Sequence, residues 1–311
     1  DRVPAAERAR ERQVTAVATT PARRRRSRPL LRRGRRLLVP LGIALALVYT
    51  LAPFVWLLLT SFKNPVEIFQ YPPTFFPKNF TWHNYAVILG GEDPATATSY
   101  PVMTAFAHSC IVALATTTIC TVVATCGAYS LARRRIRLMV WAVVGIFVMR
   151  TIPRISIAVP LYLSINDLGL LDSLAGIVLT HITVVLPLST FLMYSFLRDI
   201  PQELEDAAQI DGASKLKTFT RVVVPLAAPG IAVTAILGFI LSYNEFLYSL
   251  IMVSTEQSQT LPVALSKFIL AYGIKWNFLS AAGIVAVVPA IVFAFVVQRH
   301  IVRGLSMGAV K

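Results

Sequence analysis

Apolar and polar residues fall along this chain in long blocks. Apolar runs cover about 37–62, 105–131, 138–165, 173–197, 229–253 and 278–297. Their lengths match the roughly 20 residues a helix needs to cross a hydrocarbon core of about 30 Å. The alternating segments of about 10 residues that a transmembrane barrel requires are not visible. The pattern predicts an all-α, polytopic membrane protein with six transmembrane helices. Pro153 and Pro160 fall inside the third run and predict a kink there. The first run is too long for the core of a signal peptide and has no small-residue cleavage site. The chain divides into an arm over 1–36, a six-span domain over 37–298 with a polar segment at 198–228, and a tail over 299–311.

Charge adds orientation to this map. The chain is 56% hydrophobic and 14% charged, with a net charge of +15, a composition too apolar for an ordinary soluble domain. Thirteen arginines lie before residue 37, including Arg23, Arg24, Arg25 and Arg26. The arm, the basic turn at 133–137, the 198–228 segment and the tail carry 24 of the 30 basic residues, whereas the opposite loops carry only Lys63, Lys78, Lys267 and Lys275. This asymmetry predicts that both termini lie on the cytoplasmic side of the membrane. It also predicts an arm that touches anionic lipid headgroups. The arm has no aromatic residue on which a base would stack, which argues against nucleic acid. Cys110, Cys120 and Cys126 share one apolar run, and His83, His108, His181 and His300 are scattered. No metal or redox spacing follows from them, and they read as packing residues and incidental imidazoles.

The polar segment carries the clearest local pattern. Asp199 reads as an N-cap and Pro201 as a first-turn residue. Glu203, Glu205 and Asp206 fall where a helix dipole favours negative charge. Ala207 and Ala208 leave a smooth surface, Gly212 permits a turn next to Asp211, and a second helical stretch over 214–223 ends at Pro225. On these residues alone an amphipathic interfacial pair of helices is an equal alternative.

The intervals resemble the signature of binding-protein-dependent ABC importer permeases: Glu-Ala-Ala, three residues, Gly, nine residues, Ile-x-Leu-Pro. Here Asp206, Ala207, Ala208, Gly212, Val222, Val224 and Pro225 keep every interval, with Asp for Glu and Val for both Ile and Leu. Within that family the chain looks most like the MalG-type carbohydrate permeases. The carrying residues are Asn84-Tyr85, the run from Ile157 to Tyr162, Tyr243-Asn244-Glu245-Phe246, and an ending with Gln298, Arg299, Gly304, Leu305 and Gly308 to Lys311. The resemblance implies a six-helix permease fold and a coupling helix, carrying the 203–212 residues, that docks on an ATP-binding subunit. It further implies a second homologous permease, two ATP-binding subunits and an extracytoplasmic solute-binding protein. Gly304, Gly308 and Lys311 would reach toward the ATPase, unless the tail is simply frayed. The family has no covalent chemistry in this subunit, so the resemblance implies that ATP and Mg belong to the partners and that the chain is not itself an enzyme. Consistently, no Gly-rich loop ending in Gly-Lys-Ser or Gly-Lys-Thr is present.

Ionisable groups inside a span cost about 2.5–3.5 kcal/mol at its centre on insertion scales. Arg150 and Arg154 lie in the outer half of the third run, one turn apart if Pro153 leaves the helix intact. They either snorkel and pair at the boundary or face a translocation cavity. Tyr243, Asn244 and Glu245 belong, by resemblance, to a region lining that cavity, with an interhelical hydrogen bond as the other explanation. The expected cargo is a sugar or small oligosaccharide. An anionic solute such as a glycerophosphodiester is the alternative that two arginines suggest. An ion-coupled secondary transporter would leave the signature unexplained.

Overall fold

The computed structural model describes residues 29–93, 98–133, 151–270 and 273–308, together with 141, 144–146 and 148. The chain falls into two compact units, residues 1–54 and 55–311. In the first, the described part belongs to helix α1 (Pro29–Ser61), which contains Pro40 and Pro53. Its last turns belong to the second unit.

The second unit is helical, with two short antiparallel ladders. After α1 come α2 (Pro65–Ile68), α3 (His83–Ile88), the ladder of β1 (Glu92–Asp93) with β2 (Thr98–Ser99), and α4 (Val102–Arg133). Next are α5 (Arg154–Asp167), α6 (Leu174–Arg198), α7 (Glu203–Ile210) and α8 (Lys215–Thr218). A π-turn over Phe219–Val223 leads through α9 (Val224–Leu226) to α10 (Ala228–Tyr243) and α11 (Leu247–Met252). The chain closes with α12 (Leu261–Ser266), the ladder of β3 (Ile269–Leu270) with β4 (Gly273–Ile274), and α13 (Trp276–Gly308).

Four described helices are long and apolar enough to cross a membrane: Leu38–Ser61, Val102–Arg133, Leu174–Arg198 and Trp276–Phe293. A fifth span forms if Lys215–Leu226 and Ala228–Tyr243, bent by 71°, count as one. The expected third run lies partly outside the described residues, and its longest described helix is the 14-residue α5. Pro153 stands immediately before α5 as its cap, so the kink expected there is a helix start. The expected fifth span is not one helix to residue 253. It stops at Tyr243 and resumes as α11, because Glu245 turns back to accept the first N–H groups of that short helix.

Small residues set the packing. α4 lies along α6, and both meet α10, which also packs on α13. The buried side of α4 carries Ala113, Thr116, Thr117, Cys120, Thr121, Ala124 and Ala128, which let neighbouring backbones approach. Gly230 of α10 lies so close to α6 that a Cβ there would stand 2.5 Å from Cγ of Phe196. An apolar cluster of Ala124, Ala128, Met193, Leu197, Val223 and Ala227 closes one end of this packing. A larger one, with Phe239, Tyr243, Phe268 and Phe278, closes the other.

Polar side chains tie the turns at that second end. Buried Asn84 donates from Nδ2 to the carbonyls of Ser61 and Lys63, both at 2.9 Å, and accepts from Asn277 at 2.8 Å. It thereby satisfies carbonyls left open where α1 ends. Between α5 and α6, Asp172 adopts φ 53. Its Oδ1 accepts the N–H groups of Ser254 and Thr255 at 3.2 Å and the hydroxyl of Ser258. The bond from Ser258, followed by those from Thr255 and Ser254, holds this carboxyl below the usual range against the opposing effect of burial. A depressed folded value means the charge stabilises the fold above the unfolded value of about 3.9 and loses that effect as pH falls through the folded one. Asp172→Ala therefore lowers the thermal midpoint of the purified chain at pH 7, and the gap to the unmodified protein narrows below about pH 4. A gap independent of pH counts against this role.

Candidate functional site

Two groups of residues stand out, one in the polar segment and one where α5, α6 and α11 meet. In the polar segment, Asp199 is not an N-cap: its backbone is helical and it ends α6, whose winding runs to Arg198. Gln202 precedes α7 without a side-chain capping bond, and Glu203, Glu205 and Asp206 occupy the first turn. Gly212, at φ 85, closes α7 in a left-handed cap. Its N–H donates to Gln209 O and that of Ala213 to Ala208 O, both at 3.0 Å, the paired bonds of a Schellman turn. Ser214 then caps α8 by accepting from Lys217 N at 3.3 Å.

Pro225 does not end the second helical stretch. It has no N–H to offer Arg221, and the π-turn directly before it takes up that loss by widening the local register. Winding continues to Leu226, and the bend falls at Ala227.

The acidic residues of α7 divide. Glu203, Asp206, Ala207, Asp211, Gly212 and Pro225 are exposed and Ala208 is half-buried. Glu205 is turned inward and is 4% exposed. Its Oε2 accepts the Tyr129 hydroxyl at 2.7 Å, and its Oε1 accepts Nε–H of Arg133 at 2.5 Å. Arg133 also donates from Nη2 to Ile200 O at 3.1 Å. The outward side also carries apolar residues that the motif does not include: Leu204, Ile210 (86% exposed) and Leu216 (72% exposed). Their signal was available, as large aliphatics on either side of Gly212 in an otherwise polar segment.

At the second group, Arg154 opens α5 with its guanidinium half-exposed, and its Nη1 lies 4.0 Å from Oε1 of Glu245, which is buried. Glu245 Oε2 accepts from Tyr248 N at 3.0 Å and Ser249 N at 3.2 Å, and lies 3.4 Å from His181 Nε2. His181 is no incidental imidazole: it is fully buried, with Nδ1 2.8 Å from Ser242 Oγ and Nε2 3.0 Å from Ser249 Oγ. Glu245 Oε1 has no hydrogen-bond partner among the described residues. A cavity of about 340 Å³ adjoins this network, lined by Ile152, Arg154, Ile157, Thr183, Val184, Pro187 and Tyr248.

The structure thus brings Arg154 and Glu245 together, but not the whole expected set. Tyr243 faces α13, donating to Ala286 O at 3.1 Å and stacking on Phe239. Asn244 is exposed and donates to Ile240 O of its own helix at 2.8 Å. Arg150 and Lys311 lie outside the described residues. Gly304 and Gly308 fall within α13, which continues through positions assigned above to the tail.

Residues 123–307 match the family described as the binding-protein-dependent transport system inner membrane component. The chain is similar to the trehalose transport system permease protein SugB of Mycobacterium tuberculosis, with 35% identity over 85% of this chain and 93% of that one. It is also similar to the sulfoquinovosyl glycerol transport system permease protein SmoH of Agrobacterium fabrum, with 32% identity over 87% and 92% of the two chains. Its fold matches a chain in the crystal structure of a bacterial ABC transporter involved in import of the acidic polysaccharide alginate. That match has a TM-score of 0.68 at 23% identity, covering 90% of this chain and 99% of the other.

The cap at Gly212 makes a local prediction. A β-branched side chain is strained at this φ, so Gly212→Val opens the turn between α7 and α8 at a cost of about 1–3 kcal/mol. Limited proteolysis checks it: cleavage between residues 203 and 218 becomes faster, while the rest of the digestion pattern is unchanged.

Proposed function

Because the chain belongs to the binding-protein-dependent transport system inner membrane component family, we propose that it is the membrane-spanning permease subunit of an ATP-driven importer, moving a sugar or small oligosaccharide delivered by an extracytoplasmic binding protein. The observation that carries this reading is the segment from Glu203 to Pro225. A Schellman turn joins two short helices that present Glu203, Asp206, Asp211, Ile210 and Leu216 outward. A mixed acidic and aliphatic face of this kind suits a partner's groove, with burial supplying affinity and the charges register.

In this reading two ATP-binding subunits, which hold ATP and Mg, receive this segment and its counterpart on a second, homologous permease. Closure of the ATPase pair draws the two segments together and biases the spans between inward-facing and outward-facing states. Both termini lie in the cytoplasm of a bacterial cell, the arginine-rich arm rests against lipid headgroups, and Gly304, Gly308 and Lys311 approach the ATPase. Transport names among the relatives, trehalose and sulfoquinovosyl glycerol, support a carbohydrate cargo.

Arg154, Glu245 and Asn244 are proposed to serve the translocation cavity, with Arg150 and Tyr243 belonging to the same region. An anionic cargo is the second reading, since Arg154 is half-exposed. The proximity of Glu245 offsets that charge and favours a neutral polyol.

Asp206→Arg tests the docking face. In vesicles containing both permeases, the ATPases and the binding protein, the variant inserts normally, but ATP-driven uptake falls at least tenfold or the ATPase no longer co-purifies. Normal assembly with normal uptake removes the docking reading. For the cavity, Arg154→Ala leaves assembly intact and slows uptake several-fold, and unchanged transport kinetics exclude its participation.

A further inference from the structure

Glu205 belongs to the motif that reads as the ATPase dock, yet its carboxylate is unavailable to a partner. Both oxygens are taken by side chains of α4, at 2.5 and 2.7 Å, and the residue is 4% exposed. We propose that Arg133 and Tyr129 are positioning residues that clamp the coupling helix α7 to α4 through Glu205, making α4 the member that carries displacement of α7 across the membrane. This rests on the reading of α7 as the ATPase-docking element.

The route onward along the chain, toward α10, is poorly suited to that task. From α7 it passes through a left-handed turn at Gly212, a four-residue helix, a π-turn and a three-residue helix, and then bends by 71° before α10 begins. Short pieces joined by such breaks absorb a displacement rather than transmit it. The route through Glu205 is a direct contact of charge-assisted hydrogen bonds, which hold geometry more firmly than neutral ones. Arg133 braces it a second time through Ile200 O, and the Tyr129 ring packs on Phe219 with centroids 4.8 Å apart. Separating α7 from α4 leaves the charges of Glu205 and Arg133 unpaired at a largely buried position, which strongly disfavours the separation.

α4 itself has the build of a rod. It runs 32 residues, and it has no internal proline, whereas α1, α6 and α13 each contain one or more. Its far end is fastened to the segment after α11. Ser109 Oγ accepts Leu261 N at 2.7 Å, and His108 Nδ1 lies 3.1 Å from Gln259 O. One rigid helix therefore connects the coupling helix at one end of the bundle with the 259–261 loop at the other. That loop lies on the side from which, in the proposed function, the binding protein delivers its cargo.

The test uses the reconstituted complete importer and reads solute imported per ATP hydrolysed, with trehalose as probe and its cognate receptor present. Arg133→Gln lowers that ratio at least tenfold and Tyr129→Phe two- to threefold, while Arg133→Lys restores part of the loss. In each case ATP hydrolysis continues and the ATPase still co-purifies. If Arg133→Gln fails to assemble, Tyr129→Phe and the neutral pair Arg133→Gln with Glu205→Gln decide the matter. A merely structural role changes the amount of assembled complex and leaves the ratio alone, so an unchanged ratio in assembled variants overturns the clamp. Loss of the ATPase from Tyr129→Phe also overturns it, by assigning the residue to docking. A failure of the importer reading looks different: the unmodified complex then shows no ATP-dependent uptake of any solute.

Discussion

A buried polar group that loses water is costly unless a partner in the protein replaces it. This fold meets that constraint by gathering most of its buried charged and amide side chains into a few dense knots, chiefly where helices end and turns meet. Asn84 joins the end of α1 to α13, Asp172 joins the turn before α6 to the loop after α11, Glu245 and His181 join α6 to α11, and Glu205 joins α7 to α4. Between the knots, α4, α6 and α10 meet through alanine, threonine and glycine, whose small size allows close approach without a hydrophobic drive from lipid.

The knots differ in how completely they are satisfied. Glu205 is engaged at both oxygens, and it sits where the segment proposed to dock an ATPase meets the bundle. Glu245 is engaged at one, and its other oxygen faces a half-exposed arginine beside a cavity. A closed network is stiff and suits transmission. An open one, with a donor and an acceptor held apart at 4.0 Å, suits exchange with something that passes by.

Much of this was legible in the pattern of residues. The runs at 105–131, 173–197 and 278–297 correspond to α4, α6 and most of α13, because helices buried in lipid must be continuously apolar and 20 residues or more. The cap at Gly212 was legible too, since the left-handed region strongly favours glycine. The breaks were not. Pro153 begins a helix, Pro225 sits inside one and Glu245 interrupts one, and each outcome depends on what accepts or replaces a backbone hydrogen bond. Those partners lie within a few residues, at Tyr248 and Ser249 for Glu245 and in the π-turn for Pro225, but a proline or a carboxylate in the pattern does not say which backbone bond it will replace.

The sequence by itself determined the class of protein, the position of most spans, the acidic start of α7 and the family signature, because each rests on composition or on spacing within a single helix or turn. Only the tertiary structure decided which of three neighbouring carboxylates turns inward, that Arg133 and Tyr129 receive it, and that Tyr243 faces α13 while Glu245 meets His181 and Arg154. Side chains one residue apart on a helix point about 100° away from each other. Which of them is buried depends on where a helix far away in the chain comes to lie, and no local pattern encodes that placement.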